Sequence, residues 1–134
     1  MKRHQKYAAS CAAFLLAWPL YSQVAKDANA RYQTPDGRQA VATGLGATDR
    51  DERQKPAELV AAMGLHPGMT VADVGTGIGY MLPFLSRAVG GSGKVLAEDI
   101  FDDFLASARK RTSDEKLSNV TFFKGTEKDP LLPE

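Results

Sequence analysis

The chain has 134 residues, 43% of them hydrophobic and 25% charged, which suits one small globular domain rather than two. A formal net charge of +1 gives no basic field to argue for nucleic acid and no acidic block to argue for a solvating tail. The single cysteine, Cys11, excludes an internal disulfide, and with only His4 and His66 beside it a Cys/His zinc site has no ligand set.

The N-terminus opens MKRHQK and carries no acid before Asp27. The apolar run that follows, Ala8 to Leu20, is too short to span a bilayer comfortably and matches the h-region of a secretory signal. Ala28-Asn29-Ala30 offers an A-x-A cleavage site and Leu20-Tyr21-Ser22 an earlier one, so the signal ends between residues 22 and 30. The lack of a twin arginine points to Sec-type export, to the periplasm or beyond. An uncleaved inner-membrane anchor is the alternative. The signal is the only membrane contact expected. Residues 31–54 read as a polar lead-in, with Thr34-Pro35-Asp36-Gly37 as a turn and the charged tract DRDERQK as solvated surface.

Residues 55–134 hold a tighter pattern. Pro56 sits where a helix begins and Gly64 where it is capped, with Leu59, Val60, Met63 and Leu65 as an apolar face. His66-Pro67-Gly68 turns the chain, and Met69–Val74 reads as a strand. A helix is expected over Tyr80–Val89, with Met81, Phe84, Leu85 and Ala88 on one side and Pro83 in its first turn. Lys94–Asp99 is the second strand. Asp102 or Asp103 caps the next helix, on which Phe104, Leu105 and Ala108 face inward. Asn119–Lys124 is the third strand. Alternating helices and strands predict an α/β fold with a parallel, Rossmann-like sheet.

Between the first strand and its helix stands VADVGTGIGY, residues 71–80. Gly75, Gly77 and Gly79 remove Cβ atoms at the carboxyl edge of the sheet, where such folds bind ligands, and the helix behind them aims its N–H groups at the same place. A dinucleotide fingerprint needs G-x-G-x-x-G, but here the third glycine comes one place early and Tyr80 stands where it should be. The segment D-V-G-T-G-I-G resembles motif I of the class I S-adenosylmethionine-dependent methyltransferases. The likeness extends from the Q-K-P lead helix through L-x-P-G-M-T-V-A-D-V-G to N-V-x-x-x-x-G-T-E-x-D-P, over about residues 49–134.

The resemblance implies S-adenosylmethionine as cofactor and the first three strands of a seven-stranded sheet. It places Asp73 near the methionine amino group, with Gly75, Thr76, Gly77 and Gly79 in the loop against methionine and ribose. Asp99 would accept hydrogen bonds from both ribose hydroxyls, a task that suits an acceptor-only carboxylate. By alternation either Glu98 or Asp99 points away from the site, and Asp99 is the family match. Thr126 and Glu127 would lie near the adenine, although Glu127 and Asp129 read equally well as a solvated loop.

Methyl transfer from a sulfonium asks the protein for binding and alignment, and the sequence identifies no general base and no acceptor. Three strands imply a truncated methyltransferase that keeps the cofactor half, with an open strand edge able to self-associate. A fragment of an NAD(P)-binding oxidoreductase and an exported, non-catalytic binding domain are the alternatives.

Overall fold

The computed structural model describes residues 27 and 29–133. The expected signal segment up to residue 26, Cys11 included, and Ala28 of the later cleavage site lie outside the described residues. The chain divides into two compact units, ending at Val41 and beginning at Ala42.

In the first unit a 3-10 turn, Ala30–Gln33, leads into helix α1, Pro35–Leu45, which runs on into the second. The tetrad expected to be a turn is therefore the start of a helix. The Thr34 hydroxyl accepts the Gly37 N–H at 3.1 Å, Pro35 takes the first helical position, and Asp36 lies in the first turn. Each of these preferences serves a helix N-terminus as well as a turn. The Arg38 guanidinium donates to the Tyr32 carbonyl at 2.9 Å and ties α1 to the turn before it.

In the second unit α2 (Arg50–Gln54) and α3 (Pro56–Ala62) precede the alternating segment. Then come β1 (Thr70–Val74), α4 (Leu82–Val89), β2 (Lys94–Asp99), α5 (Asp102–Asp114) and β3 (Val120–Lys124). The sheet is parallel, in the order β1-β2-β3. Ala97 lies between Asp73 and Phe122 in the register, and Glu98 between Val74 and Phe123. Helices α4 and α5 pack on the sheet, and α3 packs on α4. The core forms between them, with Leu82, Val89 and Val95 wholly buried. Among the described residues β1 is an edge strand, and its Val74 is 61% exposed.

Two helical faces differ from expectation. On α3 Val60 is buried, but Leu59 and Met63 are about half exposed. On α4 the buried positions are Leu82, Pro83, Leu85, Ser86 and Val89, and Met81, Phe84 and Ala88 of the expected face pack partly buried against the same core, so the stripe is wider than expected. Ser86 is drawn in by a partner distant in sequence. Its hydroxyl donates to Asn119 Oδ1 at 2.6 Å, and the Asn119 amide donates to the carbonyls of Ser86 and Gly90. Neither Asp102 nor Asp103 is the N-cap of α5. Phe101 holds that position, and Asp102 pairs with Lys124 across to β3.

Candidate cofactor site

The site is built where β1 and β2 end side by side. Gly75, Gly77 and Gly79 all have left-handed φ, at +73°, +57° and +75°, so the alternation of glycines reflects a backbone path that L side chains resist. That path turns three consecutive N–H groups toward the end of β2. Gly75 N donates to Glu98 Oε2 at 3.2 Å, Thr76 N to the Glu98 carbonyl at 2.8 Å, and Gly77 N to Asp99 Oδ2 at 2.9 Å.

The three glycines have different surroundings. A Cβ on Gly75 would meet nothing within 4 Å, so the main chain is open to a ligand there. A Cβ on Gly77 would lie 3.4 Å from the Leu45 side chain. One on Gly79 would lie 2.9 Å from Leu82 and 3.0 Å from Ala108, so Gly79 is placed for close packing of the loop against α5.

Asp99 is 5% exposed and bridges two elements. Its Oδ2 accepts Gly77 N–H, and its Oδ1 accepts Phe101 N–H at 3.0 Å. Each oxygen of a carboxylate can accept about two hydrogen bonds, which leaves acceptor capacity for a ligand diol. Asp73 stands across the loop and accepts the Thr76 hydroxyl at 2.7 Å. Burial pushes its carboxyl above the ordinary aspartate range. The Thr76 hydrogen bond opposes that shift, and the neighbouring Asp99 charge adds to it.

Thr126 and Glu127 follow β3 on a separate loop. Thr126 is engaged within that loop: its N–H and hydroxyl both donate to the Asp129 carbonyl, at 2.7 and 3.1 Å, and its oxygen accepts Asp129 N–H. Glu127 is exposed. The structure thus brings Asp73, Thr76, the glycines and Asp99 into one cluster, with Thr126 and Glu127 on the adjoining loop.

Two features went unread in the sequence. The first concerns Glu98, the acid that alternation turned away from the site: its carboxylate is buried under the glycine loop and takes the Gly75 N–H, so both acids of the pair reach that loop. The second lies in the tract expected to be solvated surface. Tyr80 hydroxyl donates to Asp51 at 2.7 Å, the Arg50 guanidinium stacks 3.7 Å above the Tyr80 ring, and Arg50 also donates to the Leu45 carbonyl at 2.7 Å. These contacts hold residues 45–51 against the glycine loop, and only the aromatic residue directly behind the last glycine hinted at them. An open cavity of about 480 Å³ beside this cluster is lined by Asp51, Lys55, Pro56 and Phe84, and by none of the residues expected to bind the cofactor.

Known proteins resemble this chain in sequence and fold. The family model of protein-L-isoaspartate (D-aspartate) O-methyltransferases matches residues 39–128, more than half of the chain. A methyltransferase of Methanocaldococcus jannaschii, named as TrmI and as acting on adenines 57 and 58 of tRNA, is 44% identical over 52 residues. That match covers 39% of this chain and 18% of the relative. The solved structure of a SAM-dependent methyltransferase from Aquifex aeolicus superposes with a TM-score of 0.67 at 37% identity, over 71% of this chain and 50% of the other. A candidate rRNA methylase of Clostridium thermocellum superposes at 0.51 with 29% identity, over 62% and 45%. The chain thus spans half or less of the length of these relatives. It belongs to the protein-L-isoaspartate (D-aspartate) O-methyltransferase family, within the class I S-adenosylmethionine-dependent methyltransferases, and S-adenosylmethionine is its cofactor.

Proposed function

We propose that the chain binds S-adenosylmethionine at the carboxyl edge of its sheet and presents it for methyl transfer to an acceptor. The observation that carries this reading is the pairing of Asp99 with the open glycine loop. Asp99 is buried and fixed by two backbone N–H groups, yet keeps acceptor capacity, and Gly75 beside it leaves the main chain bare. These residues fit a ligand that carries both a diol and an extended chain.

When bound, the cofactor supplies a methyl group on a sulfonium, already activated for in-line displacement. The chain's residues bind and align it. Asp99 takes the ribose hydroxyls. Asp73 places negative charge near the methionine ammonium, with its orientation set by the Thr76 hydroxyl. Gly75 and Gly77 admit the methionine and ribose portions, and the loop of Thr126 and Glu127 borders the adenine. Alignment of this kind is worth several powers of ten in a displacement reaction.

Isothermal titration with S-adenosylmethionine tests the reading. Saturable heat that S-adenosylhomocysteine displaces and NAD does not is the expected result, and silence toward both sulfur ligands would overturn it. Transfer of a labelled methyl group can then be followed to an isoaspartyl peptide and to tRNA, the two acceptors suggested by the relatives' names. The peptide comes first, because a net charge of +1 offers a polyanion little attraction.

We also propose that residues 1–30 direct export, on the strength of the basic start and the apolar run of Ala8 to Leu20. Recovery of the protein from the cytoplasm with its N-terminus intact would count against that.

A further inference from the structure

Glu98 is a residue to which neither the family nor the cofactor assigns a task. It follows Ala97 on β2 and precedes Asp99, so the side chains of Glu98 and Asp99 leave the strand on opposite faces of the sheet. Its position on the face opposite the core would ordinarily leave a carboxylate in water, yet Glu98 is only 3% exposed. Two loops bury it. The loop after β1 gives the carboxylate an N–H, from Gly75 to Oε2 at 3.2 Å. The loop after β3 closes over the other oxygen so tightly that a Cβ on Gly125 would stand 1.9 Å from Oε1. The main chain joins the same elements, Thr76 N to the Glu98 carbonyl at 2.8 Å and Gly125 N to the Asp99 carbonyl at 3.3 Å.

We propose that Glu98 is a positioning residue for cofactor binding, its carboxylate setting the glycine loop against the loop after β3 while Asp99 serves the ribose. The residues lend themselves to that division of work. Asp99 is short and holds Gly77 and Phe101 close to the end of its own strand. Glu98 has one more methylene and reaches past the strand end to Gly75, the glycine whose exposed face is open to the ligand. Gly125 is then glycine because any side chain would displace the carboxylate. Held this way, the Gly75 backbone is placed before the ligand arrives, so less ordering has to be completed on binding.

The inference rests on the cofactor reading above, and its test separates the two. Amide hydrogen exchange on the ligand-free chain reads the clamp directly. In Glu98→Ala the Gly75 amide should lose protection while the amides of Thr76 and Gly77 keep theirs. Titration with S-adenosylhomocysteine reads the consequence. Glu98→Ala and Gly125→Ala should bind at least about tenfold more weakly than the wild type, in line with the loss of a charge-assisted hydrogen bond. Glu98→Gln, which keeps an oxygen for Gly75, should recover most of that loss. A purely structural role would lower the unfolding midpoint of Glu98→Ala and leave the affinity of the folded protein unchanged. Unchanged affinity, unchanged Gly75 exchange, or failure of Glu98→Gln to recover binding would each overturn the proposal. Absence of binding by the wild type would instead strike the cofactor reading, and the exchange experiment would still decide whether the clamp exists.

Discussion

Gly79 lies directly against Ala108, so that a Cβ on the glycine would stand 3.0 Å from both Cα and Cβ of the alanine. The contact brings the glycine loop onto α5, and it separates the last glycine of the motif from the first. Gly79→Ala combines a crowded site with a φ of +75°, and the expected loss is about 3 kcal/mol in urea unfolding. Gly75→Ala has the same conformational strain but open space around it, and should cost about 1 kcal/mol of stability. The order reverses for binding, where Gly75→Ala should be the worse of the two folded variants. Equal stability losses would show that the loop does not rest on Ala108.

Asp99 does two things that substitution can separate. As Leu it offers no acceptor to Gly77 or Phe101, and about 2 kcal/mol of stability should be lost as buried N–H groups go unpaired. As Asn it keeps one acceptor oxygen, so the fold should suffer less, but a group that both donates and accepts is poorly matched to a diol. Binding of S-adenosylhomocysteine should therefore be lost almost as fully in Asp99→Asn as in Asp99→Leu, while the unfolding midpoints differ. Wild-type affinity in Asp99→Asn would remove Asp99 from the ribose.

The parts of the fold that were legible are those governed by neighbouring residues. Strand β2 begins and ends where expected, because its apolar positions follow Gly93 and stop at the paired acids. The loop was legible because three glycines at alternate positions have few uses. The face of α4 was legible in part: Met81, Phe84, Leu85 and Ala88 pack on the core as expected, but the buried stripe also takes in Leu82, Pro83, Ser86 and Val89. Ser86 is buried because Asn119 receives it, a pairing across 33 positions that no local pattern contains. The tract DRDERQK is exposed as expected except at half-buried Arg50, but the contacts of Arg50 and Asp51 with Tyr80 were hidden for the same reason.

Asn119 should matter for stability well beyond its surface-like residue type. It joins the start of β3 to the end of α4 through three hydrogen bonds, one of them to Gly90, which ends the helix. Asn119→Ala leaves the carbonyls of Ser86 and Gly90 without that donor, and a loss of about 2 kcal/mol is expected by urea unfolding. In Asn119→Asp the acceptor for the Ser86 hydroxyl remains, but a carboxylate faces two carbonyls. That variant should be no more stable than the alanine, and a clearly more stable aspartate would disprove the donor role of the amide.

Asp73 makes stability and binding respond to pH in opposite directions. Burial holds its carboxyl above the ordinary value of 3.8, and the charge of Asp99 adds to the effect. A raised acid favours the folded state in its protonated form. This contribution is complete below the unfolded value and disappears as pH climbs through the folded value, so ionised Asp73 costs stability at neutral pH. Asp73→Asn has no charge to bury and still offers Thr76 an oxygen. Its stability relative to the wild type should increase as pH rises from about 3.8, then level off above the folded value. A sulfonium and an ammonium brought near Asp73 favour its ionised form. Cofactor affinity of the wild type should consequently rise over the same window, with proton release on binding, and Asp73→Asn should bind more weakly with that dependence flattened. Calorimetric titration in two buffers of different ionisation enthalpy measures the proton release. Proton uptake on binding, or a pH-independent stability difference between the two proteins, would remove Asp73 from this role.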